Sequence, residues 1–116
     1  MPVDLTVLGA GPAYTNRVGS TGAAYLVRAD DTAILLDLGQ GSFPRLTAEL
    51  DPSALDGIFV SHLHPDHFID LVPLRHYLRY HFSPGRRVRV YAPRGLEERI
   101  DALHGQPGFV GEALDV

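Results

Sequence analysis

A short apolar run, Ile58-Phe59-Val60, ends in Ser61-His62-Leu63-His64-Pro65-Asp66-His67, so four side chains able to bind a metal fall within six positions of a strand end. β-Branched and aromatic residues behind an Asp56-Gly57 turn read as a short buried strand. This stretch limits what the chain can become. The fold has to bury that strand in a sheet and leave a loop at its end, held by rigid elements so that several side chains converge on one point.

His62 and His64 are two residues apart, and on an extended segment both point to the same side, as two ligands of one ion must. Asp66 and His67 follow the turn set by Pro65, near enough to hold a second ion. Two divalent ions about 3.5 to 4 Å apart can bridge a hydroxide at neutral pH and grip oxygens of a substrate, so hydrolysis is the chemistry expected. With no cysteine in the chain, any metal must be bound by imidazole and carboxylate. Such ligands suit zinc, with manganese or iron as alternatives. The plainer reading, a histidine-rich surface loop, does not account for four potential ligands at this density. His76, His81 and His104 each stand alone on a helical segment and read as surface or core residues.

The chain has 116 residues, enough for one domain over 1–116 that buries roughly two-thirds of its unfolded surface. Net charge is −4, and every basic residue is Arg. No long basic run marks a general nucleic-acid surface, although local phosphate binding by Arg remains open. No apolar run approaches the roughly 20 residues of a membrane span, and Met1-Pro2-Val3-Asp4 lacks the features of a signal peptide. A soluble, cytoplasmic protein is the expectation.

In chain order, Val3 to Leu8 reads as a strand stopped by Gly9-Ala10-Gly11-Pro12. The glycines resemble part of a dinucleotide-binding fingerprint, but Tyr14 occupies its third glycine position and residues 15–22 are turn formers without helical period. Ala23–Ala29 and Thr32–Leu38 form a hairpin around Asp30-Asp31. Asp37 has two readings there: an Asx turn capping the next helix, or a support for the ligand loop. Ser42–Leu50 is a short helix with Pro44 in its first turn. Phe68–Phe82 is the main amphipathic helix, with Leu71, Leu74 and Leu78 on one face and Arg75, Arg79 and Tyr80 largely elsewhere. Arg87–Tyr91 alternates as a strand, and Arg94–Leu103 is a helix burying Leu96, Ile100 and Leu103. No element is expected from Gly108 onward.

His62-x-His64-x-Asp66-His67 behind an apolar strand resembles the signature of the metallo-β-lactamase fold hydrolases. Leu8-Gly9-x-Gly11, then Arg17 and Ser20, then Leu35-Leu36-Asp37-x-Gly39-x-Gly41 resemble their ribonuclease Z and cyclic-nucleotide phosphodiesterase branch. The resemblance implies an α/β fold (α+β): the N-terminal half of a four-layered αββα sandwich, a mixed sheet with helices on one face. It implies a first metal on His62 and His64 and a second on Asp66 and His67. Asp37 would support the loop from outside, and Asp66 would also orient the attacking water.

Two departures stand out. Asp70-Leu71 replaces the Gly-Leu usual in the branch, and only the first half of the family fold has a counterpart. The second half normally brings a third histidine, a bridging carboxylate and a final histidine. The expectations are weaker metal binding and an apolar sheet face in need of cover, from a missing C-terminal half or a homodimer. The reaction expected is metal-dependent hydrolysis of phosphodiester bonds, in a small-molecule or nucleotide substrate or in nucleic acid. The alternatives are a lactone, thioester or β-lactam hydrolase, and a non-catalytic half-domain serving as an association module or truncated fragment.

Overall fold

β1 (Asp4–Gly9), β2 (Ala24–Ala29) and β3 (Thr32–Leu36) pair antiparallel in the computed structural model, which describes residues 2–116. The β2–β3 hairpin turns at Asp30-Asp31, where Asp30 takes φ 52°, a left-handed conformation that Asp tolerates better than most residues. From β3 onward the pairing is parallel. β3 pairs with β4 (Gly57–Phe59), β4 with β5 (Val88–Tyr91), and β5 with β6 (Leu114–Asp115), giving a six-stranded sheet in chain order. Parallel neighbours need a crossover, and each crossover here contains a helix: α1 (Phe43–Glu49), α2 (Leu71–Tyr80) and α3 (Leu96–His104).

The strands bury one face. Leu8, Leu26, Leu35, Ile58 and Val90 form one cluster with Leu46 of α1, Leu71, Leu74 and Leu78 of α2, and Leu96 and Ile100 of α3. Each such side chain contributes about 1.5 to 3 kcal/mol on burial. The result is two layers, a mixed sheet with helices on one face. The opposite face stays open. Across it, register aligns Val7, Tyr25, Leu36, Phe59 and Tyr91 in one row, with Leu5, Val27 and Ile34 in the next. Leu5 is 62% exposed, Val7 56% and Tyr91 44%, and the Phe59 and Tyr91 rings stack at 4.7 Å.

Three expectations need correction. Arg75 lies on the buried stripe of α2, four residues after Leu71, and is 2% exposed. Its Nε–H donates to the Phe109 carbonyl at 2.8 Å, Nη2 pairs with Glu112, and the guanidinium lies 4.1 Å from the centre of the Phe109 ring. Leu103 points outward, 61% exposed, and His104, itself exposed, lays its ring over Phe109 at 3.7 Å. The tail is also ordered: Phe109, Val110, Ala113 and Leu114 are buried, and Asp101 accepts hydrogen bonds from the amides of Gly108 and Val110 to fix the path into β6. The glycine turn after β1 leads into no helix. Gly11 donates to the Thr21 carbonyl at 2.7 Å, which closes the loop between β1 and β2 on itself.

Candidate metal centre

The carboxyl ends of β3, β4 and β5 lie side by side, the place where open parallel sheets present loops to ligands. From β3 comes Asp37. From β4 come Val60, Ser61 and the loop through His67, which closes as a 3₁₀ turn over Pro65–His67. A recess of about 310 Å³ opens beside them, lined by Leu36, Asp37, Phe59, Val60, Ser61, Tyr91, Ala92 and Pro93.

Asp37 adopts φ 62°, left-handed for a residue with a β-carbon, which costs about 1 to 2 kcal/mol. It is 7% exposed, so its carboxylate needs partners, and it has three. The Ser61 amide donates to Oδ1 at 2.7 Å, the Ser61 hydroxyl to Oδ2 at 2.7 Å, and His67 Nδ1 lies 2.8 Å from Oδ2. Hydrogen bonds to a charged group contribute about 1.5 to 3 kcal/mol each, so together they outweigh the strain. Asp37 therefore ties both ends of the ligand loop. It caps no helix. The first-turn amide of Phe43 in α1 instead donates to Asp70 Oδ2 at 2.8 Å, which gives the residue replacing the family's glycine a structural task. Ser61, unremarked in the sequence, is the partner that joins Asp37 to the strand end; a hydroxyl directly after the strand was the available signal.

Glycines hold the far side of the loop. A β-carbon on Gly39 would lie 2.2 Å from the Asp66 carbonyl oxygen, and one on Gly22 would lie 2.9 Å from it. Only residues without side chains allow three backbone segments to meet there. Leu38 also donates its amide to the His67 carbonyl at 2.9 Å, and Asp70 donates to Leu38 at 3.1 Å.

The rings of His62 and His64 are 4.7 Å apart and those of His62 and His67 3.9 Å. His67 Nε2 lies 3.3 Å from Asp66 Oδ2. The fold thus sets the four sequence-chosen residues in neighbouring pairs, while among the described residues no three His, Asp or Glu side chains are grouped so as to hold a metal ion. Two details fit a cation. Buried Nδ1 of His62 has no hydrogen-bond partner. In the tautomer that gives Nδ1–H to Asp37, Nε2 of His67 presents a lone pair to Asp66, and two acceptors at that distance call for a proton or a metal ion between them. Ligand atoms about 2.0 to 2.2 Å from one ion stand at about this separation.

His76, His81 and His104 have other neighbours. His76 faces Tyr80, His104 and Phe109, and His81 faces Tyr77 and Phe82. Burial, then the charges of Arg75 and His104, lower the pKa of His76 below the usual value.

A family model for the metallo-beta-lactamase superfamily matches residues 17–114. An uncharacterized protein of Mycobacterium tuberculosis is 34% identical over 108 residues, covering 91% of this chain and 39% of its own length. A ribonuclease Z of Kineococcus radiotolerans is 35% identical over 104 residues, covering 88% of this chain and 32% of its own. The crystal structure of human tRNase Z, short form, superimposes with a TM-score of 0.73 at 26% identity, over 96% of this chain and 42% of that one. The chain spans about two-fifths or less of the length of these relatives.

Proposed function

The chain belongs to the metallo-β-lactamase superfamily, and on that premise we propose that it provides the metal-binding half of a phosphodiester hydrolase. The observation that carries this reading is the His67 ring, its Nδ1 fixed by Asp37 and its Nε2 facing Asp66, beside the clustered rings of His62 and His64. In this reading His62 and His64 hold one divalent ion, and Asp66 and His67 a second, with zinc favoured by the imidazole and carboxylate donors. Ions bound there supply Lewis acidity and acidify water. Asp37 sets the tautomer of His67 and the direction of its free nitrogen, and Ser61 keeps the Asp37 carboxylate aimed. Asp66, held by its backbone against Gly39 and Gly22, offers its carboxylate to orient the attacking water.

Phosphodiesters are preferred over carbonyl substrates because ribonuclease Z and tRNase Z are among the relatives. The substrate is thus a nucleotide phosphodiester or a nucleic acid, handled in the cytoplasm. With two ligands per ion, metal is held weakly, and a second sheet over the open face, from another copy or from a C-terminal half, completes the layers. Activity on bis(p-nitrophenyl) phosphate tests the reading beside a chromogenic lactam and a lactone. Turnover of the phosphodiester that is lost in both His62→Ala and Asp66→Ala supports it; turnover of carbonyl substrates alone, or no effect of either substitution, rejects it.

A further inference from the structure

We propose that Arg99 is a positioning residue for the ligand loop, holding the Leu63 peptide and through it the directions of His62 and His64. The proposal rests on the reading of that loop as a metal site. Leu63 is the residue between the two histidines, so rotation of its peptide moves both rings. The other loop anchors lie elsewhere: Asp37 holds Ser61 and His67, and the glycines flank Asp66. Among the described residues no backbone amide reaches the Leu63 carbonyl. Arg99 does, donating from Nη1 to that oxygen at 2.9 Å.

The Leu63 side chain lies toward the residue that caps the same helix. Leu63 Cδ1 lies 3.6 Å from where a β-carbon on Gly95 would stand, and Gly95 has φ 106° at the start of α3. Arg99 follows one turn later, its own amide donating to the Gly95 carbonyl at 3.1 Å. α3 therefore holds the Leu63 carbonyl by a charged hydrogen bond, while the Leu63 side chain packs against the core. Guanidinium geometry suits the task, because a planar group with several donors loses less freedom per bond than an ammonium does. Among the described residues no other hydrogen bond or ion pair engages the Arg99 side chain, so its removal reaches the rest of the molecule chiefly through Leu63.

Hydrogen–deuterium exchange on metal-free protein tests this directly, in the wild type, Arg99→Ala and Arg99→Lys. In Arg99→Ala, exchange at the amides from His62 to His67 should rise about fivefold while α3 and β4 keep their rates and the melting temperature holds. Arg99→Lys, or guanidinium added to Arg99→Ala, should restore part of the protection. In a zinc competition titration Arg99→Ala should bind about tenfold more weakly. Unchanged loop exchange, or a rise in α3 as large as that in the loop, overturns the proposal. Wild-type protein that takes up no zinc defeats the metal reading instead, and the loop exchange still decides the role of Arg99.

Discussion

The two faces of the sheet are built from the same strands and nearly the same residue types, yet they have opposite fates. On one, Leu35 and Ile58 are fully buried beneath the helices. On the other, their chain neighbours Leu36 and Phe59 are 37% and 40% exposed. Side chains of this kind on both faces of parallel strands are what a sheet covered on two sides requires. Here one cover is present, so the open face is unsatisfied by composition and not by accident of one residue. The candidate ligand loop lies where the two faces meet, at the strand ends, and every anchor seen for it comes from the covered half.

The largest effect expected from this contrast is on the covered face. Leu35→Ala should destabilise by about 2 to 5 kcal/mol in urea unfolding, because it opens a cavity under α2 and the neighbouring helices. Leu36→Ala, one residue along the same strand, should change stability by less than about 1 kcal/mol. Equal losses at both positions would mean that the open face is already covered in solution.

Arg75→Ala comes next, at about 1 to 3 kcal/mol, since it strands the Phe109 carbonyl and removes the guanidinium from the Phe109 ring. The loss should be read at the tail, as faster exchange at Phe109 and Val110. A stable variant with a protected tail would show that the strap does not depend on this residue.

How much of this contrast was legible in the sequence depended on range. The hairpin at Asp30-Asp31, the short strand before the ligands and the leucine stripe of α2 are local patterns, and each was readable. Arg75 was misplaced although it sits four residues after Leu71, because its charge made burial improbable until a carbonyl and Glu112 from the distant tail were seen to meet it. That tail carried no local signal: its two-residue strand exists only through pairing with β5. The loop's candidate ligands were chosen by type and spacing, whereas Ser61, the glycines against Asp66 and Arg99 act through contacts that close only in three dimensions.

On the open face, Leu36→Thr with Phe59→Thr should leave the monomer's stability within about 1 kcal/mol but abolish self-association, read by light scattering across a concentration series. Wild-type protein that is monomeric throughout, with a cooperative melt, would break the expectation that this face needs a partner copy.

The smallest effect separates the faces by pH. The helical side carries His76, whose pKa is lowered by burial and by the Arg75 and His104 charges, whereas no histidine stands in the rows of the open face. A histidine with a folded pKa below its unfolded value of 6.5 binds its proton first in the unfolded chain. Its contribution is therefore complete above that pH and declines as pH falls from there through the lower folded value, below which no further loss follows. His76→Leu should flatten this part of the stability profile while leaving stability at pH 8 nearly unchanged. Urea unfolding between pH 5 and pH 8, compared for the two proteins, measures the difference. A profile equally steep in the variant would show that the acid sensitivity does not come from His76 and the helical side.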